Sequence, residues 1–462
     1  MVIPTPGSMK DVLYNYDVYP KVVLANTTNT ITVQPLGWHV AFAAEKTYKV
    51  GVFKLRDSNP GTYPDIPRPA AMAMSPDADG CLRFPVTPDG EGEYLIQIFD
   101  SLDDPKAKPI ASLSFYSLAE DMKGRIPLRG DLHMHTRRSD GREAPAVVCA
   151  NYRGHGYDFF SITDHRRYYP SLEAIEAWEG LTDFNIVEGE EVHLPLNDVH
   201  YINFGGSYSV NALVTAYNDE KAGKDLAWRS KNGKAPDPMT EEEFIAMIKE
   251  RAKSVDLPYE SERLSYAVME WIYEHVQQGG GLGVFPHPYW LNPRMQLPED
   301  YIEFIYRNKP FDAFEVLGGE NYYAHNGYQT QFYYDMKAKG VEHPVVGSTD
   351  SHCSTENNRN GLICSTIVFA KENTRDGIIE AIKNSYSVAV DSISPEYRMV
   401  GDFRWVKYGS FLQENYFPLH DRACKAEGYY MNRHLAGDKR ATEILKAMKG
   451  QIPEMQKKYF AV

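Results

Sequence analysis

Residues 128–141 read LRGDLHMHTRRSDG, a short apolar strand that runs directly into two histidines and a polar turn. In an extended strand, alternate residues point to the same side, so His133 and His135 can bind one metal ion together. Asp140 lies in the Ser-Asp-Gly turn just beyond and can supply an oxygen ligand. A lone His-x-His pair is weak evidence for a metal site, and the Ser-Asp-Gly turn strengthens it.

Four more groups of polar residues follow predicted strands further along the chain: Thr163-Asp164-His165, Gly189-Glu190-Glu191 with Val199-His200-Tyr201, Phe285-Pro286-His287-Pro288, and Ser348-Thr349-Asp350-Ser351-His352. Taken individually, each group is compatible with an ordinary turn or with a hydrogen-bonded histidine in the core. Together they all fall at the carboxyl ends of strands, where α/β barrels place their active sites. Imidazole nitrogens with carboxylate oxygens suit Zn²⁺, Mn²⁺ or Fe²⁺ better than Mg²⁺ or Ca²⁺.

The chain of 462 residues is long enough for two or three domains. Residues 1–122 contain short runs of branched and aromatic residues between Gly/Pro/Asp-rich turns, which predicts a small β-sandwich. From Leu128 onwards strands alternate with helices, which predicts an α/β fold with a parallel sheet. The shared placement of the polar groups favours a barrel over an open sheet, and we assign it to residues 123–400.

Two segments stand outside this alternation of strands and helices. Residues from about 208 to 265 form a helical insertion, which is either a lid or a surface excursion. Thr240 and Glu243 predict a capping box at the start of its helix. The last segment, residues 401–462, is predicted to be a helical extension packed on the barrel.

The composition excludes several classes of protein. Lys and Arg number 49 against 63 Asp and Glu, a formal charge of −14, which argues against binding long nucleic acids. Five scattered cysteines without a Cys-x-x-Cys pair argue against a zinc ribbon or a disulfide framework. No apolar run approaches a membrane span and no leader is visible, so we expect a cytoplasmic protein without membrane contact, although a removed leader stays open.

The motifs resemble those of the PHP family, named for polymerase and histidinol phosphatase. HMHTRRSDG resembles its first motif, ITDH its second, FPHP its third and GSTDSH its fourth. GEE and VHYINFG are similar to the stretch that carries the family's glutamate and a further histidine. The match covers roughly Leu128 to Val390, and it implies a distorted seven-stranded barrel with two or three divalent ions for phosphoester hydrolysis.

The metal ligands that the resemblance implies are, in chain order, His133, His135, Asp140, His165, Glu191, His200, His287, Asp350 and His352. One ion would be held by the set His133, His135, Glu191 and Asp350. Glu191 would bridge to a second ion on His200 and His287, and a third would bind Asp140, His165 and His352. Two alternatives stay open at this point, because Glu190 competes with Glu191 and His193 competes with His200.

The implied mechanism is attack on phosphorus by a hydroxide that bridges two ions, with a nearby cation stabilising the transition state. The candidate cations are Arg137, Arg138, Arg166, Arg167 and Arg359. Arg166 and Arg167 follow the second motif and are, with Asp164 as an orienting group, the preferred catalytic residues. This Arg-Arg-Tyr-Tyr segment is bulkier and more basic than the family usually shows at this site.

The expected substrate is a small organic phosphate, and the oligomeric state is left undecided. Two alternatives are retained. The same metal centre could hydrolyse an amide or a lactone, or the protein could bind a carbohydrate or a surface through its leading β-domain.

Overall fold

The computed structural model describes residues 9–55, 70–104, 106–214, 235–291, 293–318, 324–354, 364–392 and 398–462. The fold is of the mixed α/β class, and its contacts divide the chain into two compact units. The first comprises Met1–Ile126, Phe403–Ala423 and Gly450–Val462, and the second comprises Pro127–Asp402 and Cys424–Lys449. The segment 401–462, assigned from the sequence to one extension on the barrel, is therefore shared between both units.

The first unit is built on β-strands, as its sequence predicts. They are β1 (Tyr16–Tyr19), β2 (Val22–Leu24), β3 (Asn29–Pro35), β4 (Tyr48–Lys54), β5 (Met72–Met74), β6 (Leu82–Val86), β7 (Gly92–Phe99) and β8 (Ala111–Leu118). Strands β1-β3-β6 form one sheet, and β2-β8-β7-β4-β5 form another whose outer edge is the C-terminal strand Phe460–Ala461. Apolar side chains of both sheets, Val33, Phe84 and Ile96 among them, pack in one core cluster.

The second unit contains the strands that follow in the chain: β9 (Ile126–Asp131), β10 (Phe159–Ser161), β11 (Asn185–Val187), β12 (Gly189–Val192), β13 (Tyr201–Phe204), β14 (Leu282–Phe285), β15 (Ala313–Leu317), β16 (Val345–Gly347), β17 (Cys364–Ala370), β18 (Ser387–Asp391) and β19 (Met399–Val400). One sheet has the order β11-β10-β9-β17-β18-β19 and the other runs from β12 to β16 in sequence order. As predicted, polar groups follow β10, β14 and β16 within two residues, whereas His200 lies just before β13 and not after a strand.

The expectation of a purely parallel arrangement is wrong for part of the second unit. Strand β12 pairs antiparallel with β13, and β13 pairs antiparallel with β14, whereas β14, β15 and β16 are parallel neighbours. A parallel neighbour needs a long crossover, usually a helix, and the short connection 193–200 between β12 and β13 leaves no room for one. Strands β17 and β18 are likewise antiparallel.

Helices of the second unit fill the connections between these strands. They are α1 (Pro145–Gly154), α2 (Tyr169–Trp178), α3 (Glu241–Arg251), α4 (Glu260–Gln278), α5 (Glu299–Asn308), α6 (His325–Ala338) and α7 (Arg375–Lys383). The capping box predicted at Thr240 and Glu243 is confirmed, with both reciprocal hydrogen bonds formed. Residues 215–234 of the insertion lie outside the described residues.

Four helices end the chain: α8 (Phe403–Asn415), α9 (Phe417–Leu435), α10 (Lys439–Met448) and α11 (Gln451–Tyr459). Helices α8 and α11 fall in the first unit and α10 falls in the second. Among the helices that the structure describes, none combines the length and the apolar character that a bilayer crossing requires.

A close approach between strands fixes the identity of Gly189 at the start of β12. A Cβ atom added there would collide with Oγ of Ser161 on β10, and it would lie 3.2 Å from the carbonyl oxygen of Asn203 on β13. Both atoms belong to fully buried residues in a closely packed interior, so an added methyl group would force a neighbour to shift. The glycine therefore sets how closely the strand that carries Glu191 can approach its neighbours.

We predict that Gly189→Ala lowers the free energy of unfolding by about 1–3 kcal/mol, as overpacking of a filled interior does. Adding Ser161→Ala should restore part of the loss, because it removes the colliding oxygen. The control is Gly327→Ala, at an exposed position of α6 where an added Cβ meets nothing within 4 Å. Urea unfolding of the four proteins measures the effect, and an unchanged midpoint for Gly189→Ala would contradict it.

Candidate metal centre

The carboxylate of Glu191 is fully buried and lies among six histidine rings. Its Oε2 faces three imidazole nitrogens at 2.6, 3.4 and 3.6 Å, which belong to His165, His135 and His133. Its Oε1 faces three others at 2.7, 3.5 and 3.8 Å, which belong to His200, His193 and His287. Residues from four separate strand ends therefore converge on one carboxyl group.

The first ligand group predicted from the sequence, His133, His135, Glu191 and Asp350, is compact. Nε2 of His133 lies 3.3 Å from Nε2 of His135 and 3.2 Å from Oδ1 of Asp350. Nε2 of His135 lies 2.9 Å from the same Asp350 oxygen. A tetrahedral ion with bonds of about 2.1 Å holds its ligand atoms about 3.4 Å apart. The spacings among His133, His135 and Asp350, and those from Glu191 to the two histidines, lie near this value.

The second predicted group is Glu191, His200 and His287, whose ligand atoms lie within 4.8 Å of one another. Its histidine rings are 5.0 Å apart between centroids. Nε2 of His287 also lies 3.9 Å from Oδ2 of Asp350. Glu191 and Asp350 thus each direct one oxygen to the first group and the other oxygen towards the second.

The third predicted group surrounds Asp140, and it takes in His135 as well as His165 and His352. Oδ2 of Asp140 lies 3.2 Å from Nε2 of His352 and 3.5 Å from Nε2 of His165. The ring of His135 stacks against both histidines, with centroids 4.4 and 4.3 Å away. All nine predicted ligands are therefore brought together in the structure.

The structure distinguishes Glu191 from Glu190, but it does not distinguish His200 from His193. Glu190 points away from the histidines, and it accepts hydrogen bonds from the side chains of Asn203, Ser209 and Asn211. His193 does enter the cluster, with Nε2 at 2.9 Å from Nδ1 of His165. It also forms a compact group with His165 and Glu191, so it competes with His200 in the structure as in the sequence.

Several buried polar atoms of the cluster lack a hydrogen-bond partner among the described residues. They include both oxygens of Glu191, Nδ1 of His200 and Nδ1 of His287. Leaving such atoms buried and unsatisfied is costly, especially for a carboxylate. The donor set is nitrogen and oxygen, and no cysteine belongs to any group in the described ranges. Both observations fit divalent ions of the Zn²⁺, Mn²⁺ or Fe²⁺ kind.

The charges of the cluster also fit a cation site. Burial raises the pKa of Asp350, but the nearby His133 and His135 lower it by a larger amount. The pKa of Asp350 therefore lies far below its usual range. Burial opposes ionisation of Asp140 too, and hydrogen bonds from His165 and His352 outweigh it. Burial lowers the pKa of His135 to about 4, so this imidazole is neutral at pH 7. The carboxylates are thus ionised and His135 has a free lone pair.

Two buried aspartates outside the ligand set hold the turns that carry it. Asp164 accepts from the backbone N–H and the hydroxyl of Thr136 at 2.8 and 2.6 Å, and from those of Ser139 at 3.0 and 2.5 Å. Asp131 accepts from the N–H of His133 at 3.1 Å and from the hydroxyl of Thr349 at 2.6 Å. Burial raises the pKa of Asp164 to about 6, although these hydrogen bonds lower it. Asp164 therefore orients the turn that carries Asp140.

The candidate arginines occupy different environments. Arg166 is exposed and lines a cavity of about 480 Å³ together with His193 and His200. Arg167 is buried, and its Nη1 donates to the carbonyl of Arg166 at 3.2 Å. Arg138 forms a bidentate ion pair with Glu173 on α2. Arg137 is exposed, and Arg359 lies outside the described residues.

Strained backbone conformations cluster at the site. The backbone φ angles of His287, Asp350 and Arg166 are positive, at 26°, 46° and 58°. Residues other than glycine rarely adopt such values. Hydrogen bonds hold the strained residues: the N–H of Asp350 donates to the carbonyl of His133, and that of Arg166 donates to the carbonyl of Glu191, both at 2.9 Å. Backbone hydrogen bonds thus stabilise unfavourable backbone conformations at the site.

Sequence reasoning missed Glu315, which is fully buried on β15. Its Oε2 lies 3.0 Å from Nδ1 of His133, and its Oε1 accepts from the N–H of His287 at 3.2 Å. The only available signal was a charged residue in the otherwise apolar run AFEVL.

No protein-family model and no curated protein matches this chain. Solved structures do resemble it. A two-domain protein from Bacteroides vulgatus, described as containing a predicted PHP-like metal-dependent phosphoesterase, is 17% identical with a TM-score of 0.37. The match covers 58% of this chain and 65% of that one, so this chain spans about two thirds of its length.

Two further solved structures are 16% identical with TM-scores of 0.31, and each match covers 48% of this chain and 87% of the other. One is a proposed metal-dependent phosphoesterase from Bifidobacterium adolescentis. The other is an amidohydrolase from Chromobacterium violaceum with bound sulfate and no metal. This chain resembles PHP-like phosphoesterases.

We predict that His200 binds a metal ion directly and that His193 supports a neighbouring ligand. His200 shares a group with His287, whereas His193 contacts a nitrogen of His165 and can support it by a hydrogen bond. We expect His200→Ala to bind fewer zinc ions per chain than the wild type. His193→Ala should keep the number of ions and bind them more weakly.

Elemental analysis after equilibrium dialysis measures both the number and the affinity. The control is His434→Ala, which removes a histidine that contacts Thr442 on α10 and belongs to none of the groups. Loss of an ion from His193→Ala but not from His200→Ala would reverse the assignment.

Proposed function

We propose that this chain is a metal-dependent hydrolase that cleaves a phosphoester bond in a small organic phosphate. The observation that carries the proposal is the buried carboxylate of Glu191, which places three histidine nitrogens around each of its oxygens. A carboxylate in this position is suited to bridge two cations. Centres of this kind, with two or more divalent ions, serve phosphoester hydrolysis.

The ligands would be divided as the motifs imply, with two or three Zn²⁺, Mn²⁺ or Fe²⁺ ions. His133, His135 and Asp350 would hold one ion with Glu191, and His200 and His287 would hold a second. A third ion would bind the group formed by Asp140, His165 and His352. Divalent ions in such a site supply Lewis acidity, which acidifies water and offsets the negative charge that develops at phosphorus.

The protein's own residues would orient the reaction and bind the substrate. Asp164 and Asp131 hold the turns that present the ligands, so their hydrogen bonds keep the cluster preorganised. Arg166 lies beside His193 and His200 at the 480 Å³ cavity, where its guanidinium can contact an anionic group of the substrate. This volume lies in the range of about 300–1,000 Å³ that is usual for small-molecule sites. It supports a small substrate.

We also propose that the two sheets of the second unit form the distorted barrel that the motifs imply. Isolated backbone pairings support this arrangement, because Met134 pairs with Ser351 and His165 pairs with Glu191 across the gap between the sheets. The two sheets of the first unit would form the sandwich predicted for residues 1–122. Their shared apolar core supports that proposal.

Turnover of p-nitrophenyl phosphate and bis-p-nitrophenyl phosphate in the presence of Zn²⁺ or Mn²⁺ tests the function. We expect activity on at least one of the two, and the preferred one identifies a monoesterase or a diesterase. His133→Ala and Asp350→Ala should each lower kcat/KM by roughly a thousandfold or more, because several kcal/mol of transition-state stabilisation are lost.

His434→Ala is the matched control and should leave activity unchanged. Circular dichroism checks that each variant is folded. Activity that survives in His133→Ala or Asp350→Ala at saturating metal would contradict the proposed ligands. A metal-loaded wild type that cleaves amide or lactone substrates but neither phosphoester would replace the phosphoesterase proposal with the alternative chemistry.

A further inference from the structure

The buried glutamate Glu315 lies in the middle of β15, between apolar neighbours, with none of its side chain exposed. A charged group in such a place is strongly destabilising unless it is paired. Its two oxygens have separate polar contacts. Oε2 lies 3.0 Å from Nδ1 of His133, and Oε1 accepts a hydrogen bond of 3.2 Å from the backbone N–H of His287.

The local fold is shaped around this carboxylate. The pairing of β15 with β16 is irregular between Glu315 and Leu317, and such bulges re-aim side chains. A Cβ atom at Gly318 would lie 2.9 Å from Oε1 of Glu315, so the glycine leaves room for the carboxyl group. Gly318 is itself held by the side chain of Asn326, at 2.7 and 2.9 Å.

The two partners of Glu315 are both candidate ligands. His133 and His287 share a group with Asp350, and each also belongs to a group that contains Glu191. His287 also has the strained φ of 26°. A single buried carboxylate therefore contacts the side chain of one candidate ligand and the backbone of another.

We propose that Glu315 is a positioning residue that fixes the proton of His133 on Nδ1, so that Nε2 presents its lone pair to the metal centre. The same carboxylate holds His287 in its strained conformation. This inference rests on the metal centre of the proposed function. A carboxylate that accepts from the distal nitrogen of a ligating histidine sets the tautomer and the orientation of the ring, and it increases the basicity of the ligand.

The chemistry of the two partners explains why the residue must be a carboxylate. The backbone N–H of His287 can only donate, and Nδ1 of His133 must donate if Nε2 is to bind a cation. A glutamine at this position offers one acceptor and one donor. If its oxygen faces His287, its NH₂ group faces Nδ1 of His133. The imidazole then has to accept at Nδ1 and carry its proton on Nε2, which removes the ligand atom.

Zinc affinity tests the inference without depending on turnover. The apo forms of the wild type, Glu315→Gln and Glu315→Asp are titrated with Zn²⁺ in competition with a chromophoric chelator. We expect Glu315→Gln to bind zinc about 10–100-fold more weakly, as loss of a partner behind a ligand does. Glu315→Asp keeps the charge and should recover part of the affinity.

The matched control is Glu427→Gln, the same substitution at another buried carboxylate. Glu427 binds Arg153 and Thr182, neither of which is in a ligand group. It should lose stability but keep its zinc affinity. Equal zinc affinities for the wild type and Glu315→Gln would overturn this inference but would leave the proposed metal centre intact. A wild type that binds no zinc would refute the metal centre and the inference with it.

The tautomer of His133 provides a direct readout. If Glu315 only stabilised the fold, it would have no effect on which nitrogen of His133 carries the proton. In zinc-loaded wild type labelled with ¹⁵N-histidine, we expect the His133 signal, assigned by its loss in His133→Ala, to show a protonated Nδ1 and a bare Nε2. The reverse tautomer overturns the inference. This experiment needs no Glu315 variant, so it can overturn the inference even if Glu315→Gln does not fold.

Discussion

The second unit depends on one constraint, which is the burial of carboxylates and imidazoles at contact distance from one another. Glu191 has six imidazole nitrogens within 3.8 Å and no hydrogen bond from the described residues. Without a cation, only protons on the neighbouring histidines offset the charge of this buried carboxylate. With cations, the same distances become ligand–ligand spacings, and the orphaned oxygens gain partners. The cluster is therefore better explained as a binding site than as a core.

The surrounding fold supplies the rigidity that such a cluster requires. Asp131 ties the first motif to Thr349 of the last one, and Asp164 ties the second motif to the turn after His135. Each aspartate sits at or just beyond a strand end and accepts several hydrogen bonds from another segment. The strained backbones of Asp350 and His287 are held by hydrogen bonds from their own N–H groups, to the carbonyl of His133 and to Glu315. The candidate ligands are thus held close together by contacts that need no ion.

The sequence predicts those parts of the fold that local patterns encode. Several strand ends in the second unit follow from apolar runs that stop at polar residues, and His133, His165, His287 and Asp350 lie just beyond such stops. The antiparallel return at β12 and β13 was missed, because the alternation of strands and helices was taken to imply a parallel sheet throughout this region. The role of Glu315 was also missed, since its partner His133 is 182 positions away in the chain. Helical patterns at the C-terminus identify helices, but they do not indicate which core each helix packs on.

The most direct test of the central claim is an anomalous difference map at the zinc edge, from crystals of the full chain grown with Zn²⁺. We expect a peak within about 2–2.5 Å of a Glu191 oxygen, with His133, His135 and Asp350 around it, and at least one further peak on the other side of the same carboxylate. A map with no peak at Glu191, or with zinc only at surface carboxylates, would show that the cluster is not a metal site.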